Sequence, residues 1–303
     1  MNGRFIVEWG QAGWRLDQAV AVVSGCSRSQ VKRLMEGGCL TVNGSGAKAH
    51  LKLAVGDEVV WQLEEELLAD EPQAEVLPLE ILFEDEALLV LNKQPGVVVH
   101  PGAGQGAGTL LNGLLGYDAV FREVERAGIV HRLDKDTSGV LVVAKREAVR
   151  EALQAQFKER TTGKQYRAVV RGCAPQETVV RTQLGRHPVH RKKQSVLETG
   201  GREAVSRVYC EEVFAEASLV RVAIETGRTH QIRVHMAHLG HPVLGDALYG
   251  GRKKVVEAVG VERQLLHAWR LELSHPVSGE RFCFEAPMPG DMLDVIQQLR
   301  EII

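Results

Sequence analysis

The sequence predicts an α+β protein built on a mixed, largely antiparallel sheet, preceded by a miniature domain of two helices and a hairpin. Three observations predict it. From Ile81 onward, short runs rich in Val, Ile and Leu read as strands, and helical runs fall among them without the regular alternation of a doubly wound parallel sheet. Before residue 63 the pattern differs, with two short amphipathic stretches followed by strand and turn signals. Between the two lies an acidic tract containing Pro72 and Pro78, which reads as a linker. The expected organisation is a small domain over 1–63, a linker over 64–78 and a large domain over 79–303. A chain of 303 residues, 44% of them hydrophobic, is long enough for that division.

Taken in order, Arg15 to Val23 reads as a short amphipathic helix, and Ser27-Arg28-Ser29 offers an N-cap to a second helix from Gln30 to Glu36. Gly37-Gly38 stops that helix. Leu40 to Val42 is a strand closed by the turn dipeptide Asn43-Gly44, and Gly56-Asp57 leads into a strand over Glu58 to Trp61. In the large domain, strands are expected over Ala87 to Asn92, Gly139 to Ala144, Tyr166 to Val170 and Leu219 to Ile224. Helices are expected over Arg146 to Arg160, Thr229 to Leu239 and Asp291 to Arg300.

Composition removes several classes of function. No run approaches the roughly 20 apolar residues of a membrane span, and Met1 to Gly10 lacks the apolar core of a secretory signal, so a cytoplasmic protein with no membrane partner is expected. The cysteines, Cys26, Cys39, Cys173, Cys210 and Cys283, are far apart with no C-x-x-C pair, which argues against a disulfide framework or a cysteine zinc site. The net charge of -2 hides a segregation of charge. Between Glu64 and Glu86 there are ten acids and no Lys or Arg, whereas Arg181 to Lys193 holds Arg181, Arg186, Arg191, Lys192 and Lys193 with no acid. Such a basic stretch suits a nucleic-acid backbone.

Three segments concentrate reactive groups. Gly128 to Gly139 reads as a polar loop between apolar strands, with Asp134 and Asp136 among His131, Arg132 and Lys135. Glu225 to Gly250 contains four histidines, His230, His235, His238 and His241, and Thr229 is placed to cap a helix on which Gln231, His235 and His238 share a face. The zinc-protease pattern H-E-x-x-H is absent and no carboxylate ligand is fixed, so no metal is expected there. Between these segments, Lys164, Tyr166 and Ala168 fall on one face of a strand. Gly102, Gly104 and Ala107 fit the spacing of a dinucleotide loop, but Pro101 disfavours the strand that should feed it.

Taken together, His131-Arg132-Leu133-Asp134 with Thr137-Ser138-Gly139, Lys164-x-Tyr166, and Thr226-Gly227-Arg228-Thr229-His230-Gln231-Ile232-Arg233-Val234-His235 closely resemble the RluA family of pseudouridine synthases. Leu91 to Gly102 is similar to that family's first motif, and Gly245-Asp246 to Tyr249-Gly250 to the end of its last, so the resemblance runs from about Ile81 to Pro289. Val99 to Gly104 and Ala127 to Lys145 look most like the RluD branch, which acts on 23S ribosomal RNA of the large subunit. The N-terminal piece, with Arg15-Leu16-Asp17, Ser27-Arg28-Ser29, Lys32 and Val42-Asn43-Gly44, is similar to a small RNA-binding domain first known from a small-subunit ribosomal protein.

The resemblance implies a cofactor-free isomerase that flips uridines of a structured RNA out of their stack and rejoins each uracil to its ribose through C5. It assigns the reacting carboxylate to Asp134, as nucleophile or as base, its charge partner to Arg233 and the platform for the base to Tyr166. Arg132, His131, Arg28, Lys32, Arg33, Arg191, Lys192, Lys193 and Arg228 are the expected RNA contacts. One chain supplies all these groups, which is compatible with a monomer. The competing readings are a non-catalytic RNA-binding or ribosome-assembly protein, a synthase acting on other ribosomal or transfer RNA sites, and a nicotinamide enzyme built on Gly102 to Ala107.

Overall fold

A computed structural model describes residues 2–26, 28–62, 72–102, 106–190, 192–250 and 260–301. It divides into two compact units, Met1–Gln73 and Ala74–Ile303.

In the smaller unit, helices α1 (Leu16–Ser24) and α2 (Arg28–Glu36) pack on a four-stranded antiparallel sheet of order β1-β4-β2-β3. The strands are β1 (Asn2–Ile6), β2 (Leu40–Val42), β3 (Ser45–Gly46) and β4 (Glu58–Gln62). Asn43 and Gly44 both have positive φ, 51° and 75°, which a two-residue hairpin turn requires. Leu16, Val20, Val31, Leu34, Leu40 and Val59 form the core. Helix α2 starts two residues before the expected point, and the expected cap at Ser27 lies outside the described residues. Strand β1 has no counterpart among the expected elements. It is a half-exposed edge strand whose register on β4 is set by few buried side chains, Phe5 leaning on Trp61 with ring centroids 6.1 Å apart.

The larger unit is organised by a ten-stranded sheet of order β10-β9-β11-β12-β8-β13-β7-β6-β5, with β14 beside β13. In chain order these are β5 (Ile81–Glu84), β6 (Leu88–Lys93), β7 (Ser138–Ala144), β8 (Gly163–Arg171), β9 (Glu177–Arg186), β10 (Gln194–Leu197), β11 (Arg202–Val213), β12 (Ala217–Ile224), β13 (Leu266–Ser274) and β14 (Arg281–Glu285). Every neighbouring pair is antiparallel except β13 and β7. The α+β class and the mixed, largely antiparallel sheet are thus as the sequence predicts.

Helices α3 (Leu110–Tyr117), α4 (Glu147–Glu159), α5 (Gln231–His238) and α6 (Gly290–Glu301) cover the sheet. Helix α3 has no counterpart in the sequence reading, because Gly113 and Gly116 weaken its propensity. A capping box holds its start instead, Thr109 and Asn112 bonding each other's backbone N–H. Of the stretch read as linker, 64–71 lies outside the described residues. Glu75 is held within the larger unit, its N–H donating to Asn112 O at 3.0 Å and its carboxylate accepting from Gly108 N at 2.9 Å.

The single parallel junction lies beside the loop that carries Asp134. His267 pairs with Ser138 and Ala268 with Gly139, where β7 emerges from that loop. Gly139 has φ 116° and packs so close to Ala268 O that no side chain fits. The loop does not follow a strand, as expected, but a run of tight turns over Ala119–Arg122 and Glu125–Gly128; an isolated bridge from Ile129 to Val143 ties its start to the sheet.

Candidate active site

Three elements converge beside the parallel junction: the 129–137 loop with Asp134, β8 with Tyr166, and the start of α5 with Arg233. The loop is tied down carbonyl by carbonyl. Thr137 N donates to Asp134 O at 3.1 Å, Lys93 Nζ donates to Lys135 O at 2.9 Å, and Arg263 Nη1 donates to Asp136 O at 2.9 Å. Arg263 is itself held by both oxygens of Asp291 on α6, at 2.6 and 2.8 Å. Burial pulls the Lys93 ammonium down to about 7, with Asp136 opposing. Its Nζ nonetheless faces three carbonyls, of Gln94, Val97 and Lys135, at 2.8, 3.0 and 2.9 Å, a set of acceptors that matches the three protons of the charged form.

Helix α5 opens differently from the expectation. Thr229 is not its cap: His230 occupies the N-cap position with φ 56° and no capping bond. The turn is instead stitched by the Gln231 amide, whose Oε1 accepts from Thr226 Oγ1 at 2.7 Å and from Arg228 N at 3.0 Å, while Nε2 donates to Val205 O at 3.0 Å. His235 is fully buried on the same face, between Ser206 Oγ at 2.9 Å and Thr182 Oγ1 at 2.8 Å, and His238 is exposed. This polar face docks α5 onto β11 and β9, so Arg233 is presented from a fixed helix.

Arg233 is 5% exposed and uses all three edges of its guanidinium. Nε and Nη2 donate to the two oxygens of Asp246 at 2.6 and 2.9 Å, and Nη1 donates to Asp134 Oδ2 at 2.9 Å. Asp246 is buried and also accepts from Leu248 N and Tyr249 N at 2.9 and 3.1 Å. Burial works against the Arg233 charge, but the hydrogen bonds and charge of Asp246, with Asp134 behind them, outweigh it and raise the group above the usual arginine value. His230 Nε2 lies 4.0 Å from Asp134 Oδ2, and burial holds that imidazole below its ordinary range although Asp134 opposes.

Asp134, with 20% of its side chain exposed, faces a cavity of about 80 Å³ that Tyr166, Leu266, Ile224, Arg132 and Arg228 also line. Burial, then the Asp134 charge, push the Tyr166 phenol up, so it stays protonated. The structure therefore brings together Asp134, Tyr166, Arg233, Arg132 and Arg228. Arg132 is exposed, and Arg228 is half-buried with Nε on Glu203 O at 2.9 Å. Lys192 and Lys193 lie between β9 and β10, where Lys193 Nζ sits 6.0 Å from the Tyr249 ring centroid. Arg191 lies outside the described residues, as do the side chains of Arg28, Lys32 and Arg33.

His131 is engaged within the protein: its ring stacks on Phe157 at 4.7 Å and its Nε2 accepts from Val142 N at 3.0 Å, so it anchors the loop to β7. Burial, then Lys164, lower its pKa to about 3. An unfolded histidine takes its proton near 6.5, so between pH 6.5 and 3 the unfolded chain binds a proton the native one refuses, and stability falls as the pH falls through that window. At pH 5 this amounts to about 2 kcal/mol. Replacing His131 by Gln should flatten that part of the stability–pH curve, measured by urea unfolding at pH 7 and pH 5; an unchanged slope would refute the account.

Asp246, Lys93, Arg263, Asp291 and His230 carry no role that the sequence alone assigns. Asp246 stands inside the last family-like motif, but nothing local marks it as the partner of a residue 13 positions away.

Residues 87–238 match the family model described as RNA pseudouridylate synthase, and residues 14–59 match the S4 domain. A protein of Nitrosomonas europaea named ribosomal large subunit pseudouridine synthase D is 42% identical over 299 residues, spanning 96% of this chain and 86% of its own length. The chain belongs to the RNA pseudouridylate synthase family. A protein of the same name from Vibrio cholerae is 43% identical over 304 residues, covering 96% of this chain and 93% of that protein. Among solved structures, human RNA pseudouridylate synthase domain containing 4 shares the fold with a TM-score of 0.59 at 24% identity, covering 73% of this chain and 93% of that one. As a pseudouridylate synthase the protein is an isomerase whose partner is RNA, and its N-terminal unit contains the S4 domain.

Proposed function

We propose that this synthase converts uridines of 23S ribosomal RNA to pseudouridine, with the uridine-rich stem-loop at the subunit interface as its target and Asp134 as the reacting carboxylate. The observation that carries the assignment is the buried Asp246–Arg233–Asp134 chain, which ends at a carboxylate facing the Tyr166 cavity. The relatives named for the large ribosomal subunit support the choice of RNA.

The reaction breaks the N1–C1′ bond, turns the uracil and forms a C5–C1′ bond; N1 gains a proton and C5 loses one, so product and substrate are isomers. Asp134 starts it, attacking the nucleotide or removing a ribose proton, with Oδ2 held by Arg233. Tyr166, kept as a phenol, gives the extruded uracil its platform, and Arg132 fills space beside the flipped nucleotide. Arg228, Lys192 and Lys193 meet the RNA backbone, and the S4-containing domain over 1–63 adds affinity through Arg28, Lys32 and Arg33. The large domain over 79–303 supplies the whole active site, so a cytoplasmic monomer suffices.

The test is pseudouridine mapping by carbodiimide and primer extension on RNA from cells lacking the protein. Loss of the large-subunit stem-loop sites, restored by the wild-type gene, is expected. Unchanged sites would reject the 23S assignment.

A further inference from the structure

His230 stands at the head of α5 in a conformation that costs stability. Its φ is 56°, in the left-handed region that favours Gly or Asn, and it fills the N-cap position without making a capping bond. Either of those residues would start the helix at lower cost. Backbone strain of this kind persists where the surrounding structure holds a side chain in place for another purpose. The imidazole lines the Tyr166 cavity, and its Nε2 lies 4.0 Å from Asp134 Oδ2.

The hydrogen bonds around the ring set its tautomer. Tyr249 Oη accepts from Gln194 N at 2.8 Å and lies 2.9 Å from His230 Nδ1. The phenol's own proton needs an acceptor, and Nδ1 is the one at hand among the described residues, so Tyr249 donates and Nδ1 accepts. In the neutral ring, which burial favours, the remaining proton then sits on Nε2. At 4.0 Å that N–H is too far from Asp134 for a hydrogen bond, and no other group among the described residues accepts it. Arg233, the other donor beside Asp134, is by contrast committed to Asp246 and Asp134.

The reaction creates a need for such a donor. When the N1–C1′ bond breaks, its electron pair stays with N1, and the uracil carries a negative charge spread over N1, O2 and O4 until C5 takes over the bond to C1′. This holds whether Asp134 attacks the nucleotide or removes a ribose proton. An N–H held in place before the charge develops, and unpaired until then, lowers the barrier to forming that anion. We infer that His230 is a further catalytic residue, a neutral imidazole whose Nε2–H donates to O2 or O4 of the detached uracil. This rests on the reading of Asp134 and the Tyr166 cavity as the reaction site.

The experiment compares wild type, His230→Gln, His230→Asn, His230→Gly and Asp134→Asn on total RNA from cells lacking the protein, which holds the substrate whichever RNA that is. Single-turnover formation of new pseudouridine, with enzyme in excess, gives a maximal rate and a half-saturating enzyme concentration. Thermal melts set a temperature at which every variant is folded. Asparagine and glycine accept the positive φ but bring no donor to the Nε2 position, whereas the glutamine amide nitrogen reaches it. His230→Asn and His230→Gly should lower the maximal rate about 10²-fold, the scale of one lost oxyanion donor, with half-saturation within a few-fold of wild type. His230→Gln should recover about 10-fold of that loss. An unchanged maximal rate in the asparagine and glycine variants overturns the inference. So does a loss carried by half-saturation, which would make His230 an RNA contact. A glutamine variant no faster than the other two also overturns it, because the ring would then be structural. Near-normal turnover by Asp134→Asn would instead reject the carboxylate's role, and His230 is still judged from its own variants, since the uracil leaves as an anion whichever group starts the reaction.

Discussion

Asp134→Asn is expected to abolish pseudouridine formation, by at least about 10⁴-fold, while RNA affinity stays within a few-fold of wild type. The size of the effect follows from what the substitution removes. Asparagine has nearly the shape of aspartate and keeps an oxygen that can accept the Arg233 Nη1 bond, now 2.9 Å long, but it can neither attack a sugar carbon nor take a ribose proton. Folding should hardly change, because Arg233 keeps both bonds to Asp246 when the Asp134 charge is lost. The measurement is single-turnover product formation on a stem-loop RNA, with filter binding and a thermal melt on the same preparation. Near-normal turnover would remove Asp134 from the chemistry, and a collapsed melt would make its role structural.

Asp246→Asn should show the opposite balance. Asp246 is 1% exposed and takes two of the three donor edges of a guanidinium that is itself buried. Neutralising it leaves a buried cation with only the partly exposed Asp134 as counter-charge, and breaking a buried pair from one side costs about 3–5 kcal/mol. For a domain of this size that lowers the melting temperature by roughly 6–20 °C. Activity should fall as well, since the guanidinium that fixes Asp134 Oδ2 loses its anchor. Calorimetry checks the first expectation and single-turnover kinetics below the new melting temperature the second. A variant that melts like wild type would show that Arg233 is held by other means.

The two substitutions separate residues that one network joins. Asp134 sits at the solvent end of the network and Asp246 at its buried end, with Arg233 between them. Removing charge at the exposed end costs chemistry, because water and Arg233 still solvate what remains. Removing it at the buried end costs folding, because nothing replaces the lost partner.

By itself the sequence determined the fold class and the positions of most helices and of β2, β4, β6, β7, β8 and β12, and its motifs pointed to Asp134, Tyr166 and Arg233. Alternating and helical periodicities report which side chains a strand or helix must bury, and that information is local. The motifs around Asp134, Tyr166 and Arg233 are contiguous words, so resemblance could select them before any geometry was known. Elements stabilised by something other than their own pattern stayed hidden: β1, whose partner β4 is more than fifty residues away, and α3, which two glycines disguise. The tertiary structure alone decided which polar residues serve the site. His131 had the composition of an RNA contact, yet its ring is claimed by Phe157 and Val142 N. Asp246 and Lys93 stood inside family-like motifs without an assigned role, and Arg263 and Asp291 outside them, yet together they hold Arg233 and the loop carbonyls. A hydrogen bond depends on distances of about 3 Å between groups the chain brings together only by folding, and no periodicity records such distances.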